Sequence, residues 1–178
     1  LIAGHATMSA GLTWAFYLLA ARPEMQDRIH AEARETALLA GPDALEDHDL
    51  PEGPEAACHP VDGPQFLDSV PYTQRVWKET LRLYPALPVF GRTAKSDVTF
   101  GDADIESGSH VLVSPYVVHR DPELWDDPES FDPARFEGTD DRHEFAYFPF
   151  SGGRHACLGE AIATTEATTV LATTLATH

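Results

Sequence analysis

A ten-residue segment, Phe150 to Gly159, constrains the fold of this chain more than any other feature. It joins a glycine-containing loop to a segment from Leu158 onward whose pattern predicts a helix, and it places Cys157 beside that junction. The start of a helix gathers unpaired N–H groups and a positive dipole end, which favour a thiolate over a thiol. Glycines also allow a flat group to approach the backbone closely. The segment therefore predicts a thiolate that can bind a metal.

The charge balance limits the partners that this chain can have. The 178 residues include 29 acidic and 12 basic side chains, and the net charge is -17 with neutral histidines. Nucleic acids and anionic membranes attract basic surfaces, so this balance argues against both as partners. Abundant acidic residues with few lysines also suit a protein that stays soluble in high salt. A salt-loving source is one expectation, and an ordinary acidic bacterial protein is the other.

The two cysteines and the first twenty residues indicate the cellular compartment in which to expect this protein. Cys58 lies in a Pro-rich stretch and nothing suggests a disulfide framework, so a reducing, cytoplasmic environment is expected. Residues 1–20 are apolar but lack the basic region and cleavage signal of a signal peptide, and their polar side chains argue against a membrane span. The chain begins without Met and ends within a helix-like pattern, so we expect it to be part of a longer protein.

The pattern of apolar residues predicts a mainly α-helical chain with small β-sheets. A long helix, apolar nearly all round, is predicted over residues 1–21, and an amphipathic helix over residues 24–39. A third helix is predicted from about Tyr72 to Tyr84, with Ser69 as its cap and Pro71 just inside. Residues 98–100 and 110–113 are the best candidates for strands.

Two long segments lack periodicity and are predicted to be loops. Residues 41–64 form an acidic loop rich in Pro and Gly, which we expect to be solvated. Residues 121–136 are dense in Pro, Asp and aromatic residues, so this second loop must be held in place by its side chains.

A lone cysteine is more often a small buried apolar residue than a metal ligand, but the neighbours of Cys157 reverse that expectation. Five positions fit the pattern Phe-x-x-Gly-x-(Arg/His)-x-Cys-x-Gly: Phe150, Gly153, His155, Cys157 and Gly159. This segment resembles the haem-binding loop of the cytochromes P-450. The resemblance implies that Cys157 is the thiolate ligand of the iron of haem b, and that His155 pairs with a haem propionate.

Glu79 and Arg82 lie three residues apart, on one face of the predicted third helix. Most such pairs are solvated and contribute little to stability, although the apolar flanks of this helix indicate partial burial. In cytochromes P-450, a Glu-x-x-Arg pair on this helix binds an Arg in a Phe-x-Pro-x-Arg-Phe segment, which residues 131–136 match. The resemblance therefore implies a buried structural network of Glu79, Arg82 and Arg135.

Two further positions take a role only through the resemblance. Arg92 falls where the family has an Arg that binds a haem propionate. Thr7 falls where the family has a threonine that helps to deliver protons to dioxygen, although a threonine inside a helix usually bonds back to a carbonyl one turn earlier. The family has Asp or Glu before that threonine, whereas this sequence has Ala6, so water or His5 would have to relay the proton.

The resemblance runs from Ala3 to Gly159 and implies the C-terminal, haem-binding part of a cytochrome P-450 domain over residues 1–178. The implied enzyme is an oxidoreductase, a haem-thiolate monooxygenase. It would insert one oxygen atom from dioxygen into an apolar small molecule, with electrons from a ferredoxin or a reductase. Two alternatives stay open. One is a peroxide-using or non-oxygenase haem-thiolate enzyme, which Ala6 favours; the other is a non-catalytic fragment that cannot hold haem stably.

Overall fold

The computed structural model describes residues 2–36, 63–138 and 142–176. Its helices are α1 (Ile2–Ala20), α2 (Pro23–Glu35), α3 (Gly63–Ser69), α4 (Pro71–Leu83), the short α5 (Pro115–Val118) and α6 (Glu160–Ala176). Its strands are β1 (Phe90–Thr93), β2 (Val98–Phe100), β3 (Ala103–Ile105) and β4 (His110–Val113). The predicted class, mainly helical with small sheets, is confirmed.

A proline lies in the first turn of each of the two helices that the sequence predicts most clearly. Pro23 and Pro71 occupy the first turns of α2 and α4, where the missing N–H of proline would have no intrahelical partner. The chain leaves α4 at Tyr84, directly before Pro85, which agrees with the predicted end. Short 3₁₀ turns follow at residues 133–136, 144–146 and 153–155.

The four strands form two separate antiparallel pairs between α4 and α5. Strand β1 pairs with β4, with Phe90 opposite Val113, and β2 pairs with β3, with Val98 opposite Ile105. The predicted strands β2 and β4 are confirmed. Strands β1 and β3 were not predicted, because Gly91 in β1 and Asp104 in β3 are residue types depleted in strands. Strand β2 is equally short and exposed, but it consists of Val, Thr and Phe, which are common in strands.

The core lies where α1, α2, α4 and α6 pack together. Its largest buried side chains include Trp77, Leu19, Ile29 and Leu171. Helix α1 approaches α4 closely at Gly11, where an added Cβ would lie 2.6 Å from a ring carbon of Trp77. No described helix has both the length and the apolarity that a bilayer span requires.

Three predictions about helix boundaries and caps need comment. Ser69 does not cap α4: the N-cap position is Val70, and the Ser69 hydroxyl donates instead to the carbonyl of Phe66. The amphipathic helix ends at Glu35 rather than continuing to residue 39, and residues 37–39 lie outside the described part. Of the predicted loop at 41–64, only residues 63 and 64 are described, and they begin α3. Cys58 also lies outside the described residues.

Candidate functional site

The Cys loop, residues 148–157, presents Cys157 to a cavity. The loop is closed at its base because the Cys157 N–H donates to the carbonyl of Phe150 at 2.8 Å. Inside it, Gly153 has a φ of +64°, a left-handed conformation that glycine adopts without strain. The Cys157 side chain is exposed, and α6 begins soon after it, at Glu160. The loop therefore offers an accessible thiol beside a helix start, as the sequence predicts.

The cavity has a volume of about 500 Å³ and lies between the start of α1, helix α4 and the Cys loop. Most of its wall is apolar, with contributions from Met8, Trp77, Leu81, Leu87 and Phe90. Five of the predicted site residues also line it: Thr7, Phe150, His155, Cys157 and Gly159. The fold therefore brings together residues from both ends of the chain at a single apolar cavity.

The side chains that line this cavity suit a metal ion whose remaining ligands belong to a bound molecule. Within residues 2–36, 63–138 and 142–176, no group of three or more His, Cys, Asp or Glu side chains is placed to hold a metal ion. A metal bound by Cys157 would therefore need other ligands from a bound molecule. The iron of a haem is already held by a flat, apolar macrocycle and accepts a cysteine thiolate as an axial ligand. Cys157 and the apolar walls around it fit that group.

Glu79 and Arg82 of α4 meet Arg135 of the 3₁₀ turn at residues 133–136. Arg82 Nε and Nη2 donate to the two oxygens of the Glu79 carboxylate at 2.7 and 2.9 Å, and Arg135 Nε donates to Glu79 Oε1 at 3.2 Å. The side chains of Glu79 and Arg82 are completely buried. The pair is therefore not the solvated surface pair that the sequence left open. Because it is buried and bidentate, removing either partner would leave a charge without compensation.

Arg82 also fixes the loop of residues 119–130. Its Nη1 donates to the carbonyls of His119 and Pro128, both at 2.7 Å, and its Nη2 donates to the carbonyl of Ser130 at 3.0 Å. Together with the two bonds to Glu79, these bonds use all five N–H donors of the guanidinium. The Asp-rich loop is thus held through its backbone carbonyls by an arginine on α4. Its own Arg135 side chain also holds it, by donating to the carbonyls of Asp126 and Asp127, as the sequence predicts.

His119 is a buried residue of this region that sequence reasoning missed. Its ring lies between α4 and the Cys loop, with Nδ1 3.2 Å from the carbonyl of Arg82 and Nε2 3.0 Å from the N–H of Phe148. Burial lowers the pKa of His119 from its usual 6.5 to about 4, with the bond to the Arg82 carbonyl opposing and the Arg82 charge adding to the shift. The ring is therefore neutral at physiological pH.

The two predicted propionate ligands occupy different places. His155 is exposed and lines the cavity directly. Arg92 is also exposed, on β1, and reaches the cavity through Ser151, whose hydroxyl oxygen lies 3.4 Å from Arg92 Nη2. Its guanidinium also stacks over Phe90 at 4.8 Å from the ring centroid. One basic side chain therefore lies within the Cys loop and another contacts it from β1, in a chain whose net charge is strongly negative.

Thr7 lies at the other side of the cavity, on α1, where Ala6 precedes it. The Thr7 hydroxyl donates to the carbonyl of Gly4 at 3.5 Å, which is the weak local bond usual for a threonine inside a helix. The Ala6 side chain is exposed. The fold thus places the Thr7 hydroxyl on this side of the cavity, and the alanine at residue 6 supplies no carboxylate.

A mainly helical fold in which a cysteine loop faces a helix across an apolar cavity is the arrangement expected from the resemblance to haem-thiolate proteins. The comparison with known proteins assigns the family. The family model "Cytochrome P-450" matches residues 1–178. The chain is 37% identical over 173 residues to mouse cytochrome P-450 4A12B, covering 97% of this chain and 30% of that protein. This chain belongs to the cytochrome P-450 family, whose members bind haem.

Other relatives show the same coverage. The chain is 37% identical to the pig taurochenodeoxycholic 6 alpha-hydroxylase, covering 97% of this chain and 31% of that enzyme. It is 36% identical to mouse cytochrome P-450 4V2, covering 95% of this chain and 29% of that protein. The chain therefore spans about a third of the length of these curated relatives.

Proposed function

We propose that this chain forms the haem-binding part of a monooxygenase that inserts one oxygen atom from dioxygen into an apolar small molecule. The cofactor in this proposal is haem b, and a ferredoxin or a reductase supplies the electrons. The observation on which the proposal depends most is the exposed Cys157 thiol in an apolar cavity that Thr7 also lines. The names of relatives, which include a hydroxylase of a bile acid, support the same reaction class.

The residues of this chain bind and position the haem in this proposal. Cys157 is its thiolate ligand, and such a ligand supplies electron density that favours cleavage of the O–O bond. His155 and Arg92 form charge-assisted hydrogen bonds with the propionates, because His155 lines the cavity from within the Cys loop and Arg92 contacts Ser151 of that loop. The apolar walls exclude water and hold an apolar substrate near the iron.

The proposal also assigns a proton-donor role to Thr7 and a structural role to the network of Glu79, Arg82 and Arg135. Thr7 holds a proton at its hydroxyl oxygen on the α1 side of the cavity, where a donor is needed during oxygen reduction. The Glu79, Arg82 and Arg135 network is structural, since it holds the loop of residues 119–130 without lining the cavity.

A peroxide-using haem-thiolate enzyme is the second candidate. The observation that favours it is Ala6, whose methyl group cannot relay a proton to Thr7. Hydrogen peroxide already contains the two electrons and the two protons that dioxygen would have to receive, so its use requires fewer proton transfers past residue 6. Turnover with dioxygen, a ferredoxin and its reductase supports the first candidate, whereas turnover with hydrogen peroxide alone supports the second.

The absorption spectrum of the reduced protein with carbon monoxide tests the ligand assignment. Haem is added to the 178-residue chain, and the protein is reduced and exposed to carbon monoxide. A Soret band shifted to long wavelength is expected, because a thiolate opposite carbon monoxide produces that shift. If the chain takes up no haem, the alternative of a chain unable to hold haem stably is supported instead.

The second cysteine offers a matched control for this test. Cys157→Ser is expected to abolish the long-wavelength band, whereas Cys58→Ser is expected to retain it. The reverse result, or retention of the band in Cys157→Ser, would exclude Cys157 as the iron ligand.

A further inference from the structure

His119 joins the C-terminal end of α4 to the start of the Cys loop. The ring is completely buried, and both of its nitrogens have a backbone partner, the carbonyl of Arg82 and the N–H of Phe148. The backbone carbonyl of His119 accepts from Arg82 Nη1 at 2.7 Å, so residue 119 contacts Arg82 twice. A buried histidine with every polar atom matched is held in one orientation.

The partners also define the tautomer of the ring. The Phe148 N–H can only donate, so Nε2 must be an acceptor, and the carbonyl of Arg82 can only accept, so Nδ1 must bear the proton. Neutral His119 with its proton on Nδ1 is the one state that satisfies both bonds. Protonation would place a second donor at Nε2, facing the N–H of Phe148.

The bond to Phe148 is the first in a series that reaches Cys157. The carbonyl of Phe148 accepts from the Ser151 N–H at 3.1 Å, and the carbonyl of Phe150 accepts from the Cys157 N–H at 2.8 Å. Aromatic side chains keep the ring in place, since His119 stacks on Tyr147 at 5.3 Å between centroids and meets Phe148 edge-on at 5.3 Å. A shift of the Phe148 backbone would therefore move the loop that ends at the thiol.

We propose that His119 is a positioning residue for the Cys157 thiolate: its neutral ring transmits the position of Arg82 to the Cys loop through the N–H of Phe148. The link to thiolate ligation rests on the proposed function, whereas the link to the loop does not. His119 touches neither the cavity nor the thiol, so it acts through Phe148.

Two amide variants test the hydrogen bonds of the two ring nitrogens separately. In His119→Gln, the side-chain oxygen reaches the Nε2 position and can accept from the Phe148 N–H. In His119→Asn, the shorter amide reaches only the Nδ1 position and can donate only to Arg82. Both variants remove the ring and its packing, so a role confined to packing would affect them alike. His110→Gln, at an exposed histidine on β4, is the matched control.

Amide hydrogen exchange in the haem-free protein gives a readout independent of the cofactor. The Phe148 N–H is expected to exchange about tenfold faster in His119→Asn than in the unmodified protein, because a buried hydrogen bond is lost. In His119→Gln it is expected to stay close to the unmodified rate. In the haem-loaded, reduced protein with carbon monoxide, His119→Asn is expected to lose more of the long-wavelength Soret band than His119→Gln.

The outcomes are distinct. Equal exchange rates and equal Soret spectra in the two amide variants would overturn the proposal. If either variant fails to fold, the ¹⁵N shifts of the His119 ring in the unmodified protein decide, since a proton on Nε2 would contradict the bond to Phe148. If the unmodified protein shows no long-wavelength band, the proposed function fails, whereas the exchange rates still test the link from His119 to the loop.

Discussion

Glu32 provides the cap of α4 that the sequence assigned to Ser69. Its carboxylate lies on α2 and accepts from the Tyr72 N–H at 2.6 Å, from the Thr73 N–H at 2.8 Å and from the Thr73 hydroxyl at 2.6 Å. The N–H groups of a first helical turn have no partner inside the helix, and the helix dipole favours a negative charge there. Glu32→Gln is therefore expected to destabilise the fold.

The size of the effect follows from these bonds. An amide of the same shape retains one acceptor oxygen but turns its NH₂ group toward a backbone donor, which leaves that donor without a partner. Leaving one partly buried donor unmatched costs about 1–3 kcal/mol, and loss of the negative charge at the helix start adds about 0.3–1 kcal/mol. Since Glu32 is partly exposed, water recovers some of this loss, and we expect about 2 kcal/mol.

Urea denaturation followed by circular dichroism measures this change. Glu35→Gln removes an exposed charge from the same helix and is expected to change the free energy of unfolding by less than about 0.5 kcal/mol. Ser69→Ala is expected to have an equally small effect, because that hydroxyl bonds within α3. The reasoning is refuted if Ser69→Ala costs as much as Glu32→Gln, or if Glu32→Gln behaves like Glu35→Gln.

Three further predictions concern charge. Glu79→Gln is expected to lower the free energy of unfolding by about 3–5 kcal/mol, because Arg82 stays buried without its counter-charge; a loss under about 1 kcal/mol in urea would contradict a buried network. The pKa of His119 is about 4 in the folded protein and 6.5 in the unfolded chain. Between these pH values the unfolded chain binds a proton that the folded protein does not, so the free energy of unfolding falls as the pH drops from about 6.5 to 4. The fall attributable to His119 is about 3 kcal/mol and should be absent in His119→Gln; equal pH profiles would exclude it. Finally, the net charge of -17 predicts a higher urea midpoint in about 2 M than in about 0.1 M salt, and an unchanged or lower midpoint would argue against a salt-adapted protein.

Much of the fold follows from local signals in the sequence. Pro71 and Pro85 bracket α4, and its apolar stripe is regular, so both of its ends are predictable within a residue. The five matched positions between Phe150 and Gly159 likewise indicate which thiol is the candidate metal ligand, whereas its exposure comes from the structure. Strands β1 and β3 were missed because they contain Gly91 and Asp104, residue types depleted in strands, whereas the equally short β2 consists of Val, Thr and Phe.

The sequence by itself determined the four long helices, the position of the candidate thiol ligand and the family motifs around it. These features depend on residues a few positions apart, whose turn chemistry and periodicity act locally. The tertiary structure alone decided that Glu32 caps α4, that Glu79 and Arg82 are fully buried, and that His119 links Arg82 to Phe148. A polar side chain selects its partner from whatever the fold brings within about 3 Å. The partner of Glu32 is 41 residues away and that of His119 is 29 residues away, and no local pattern specifies such pairs.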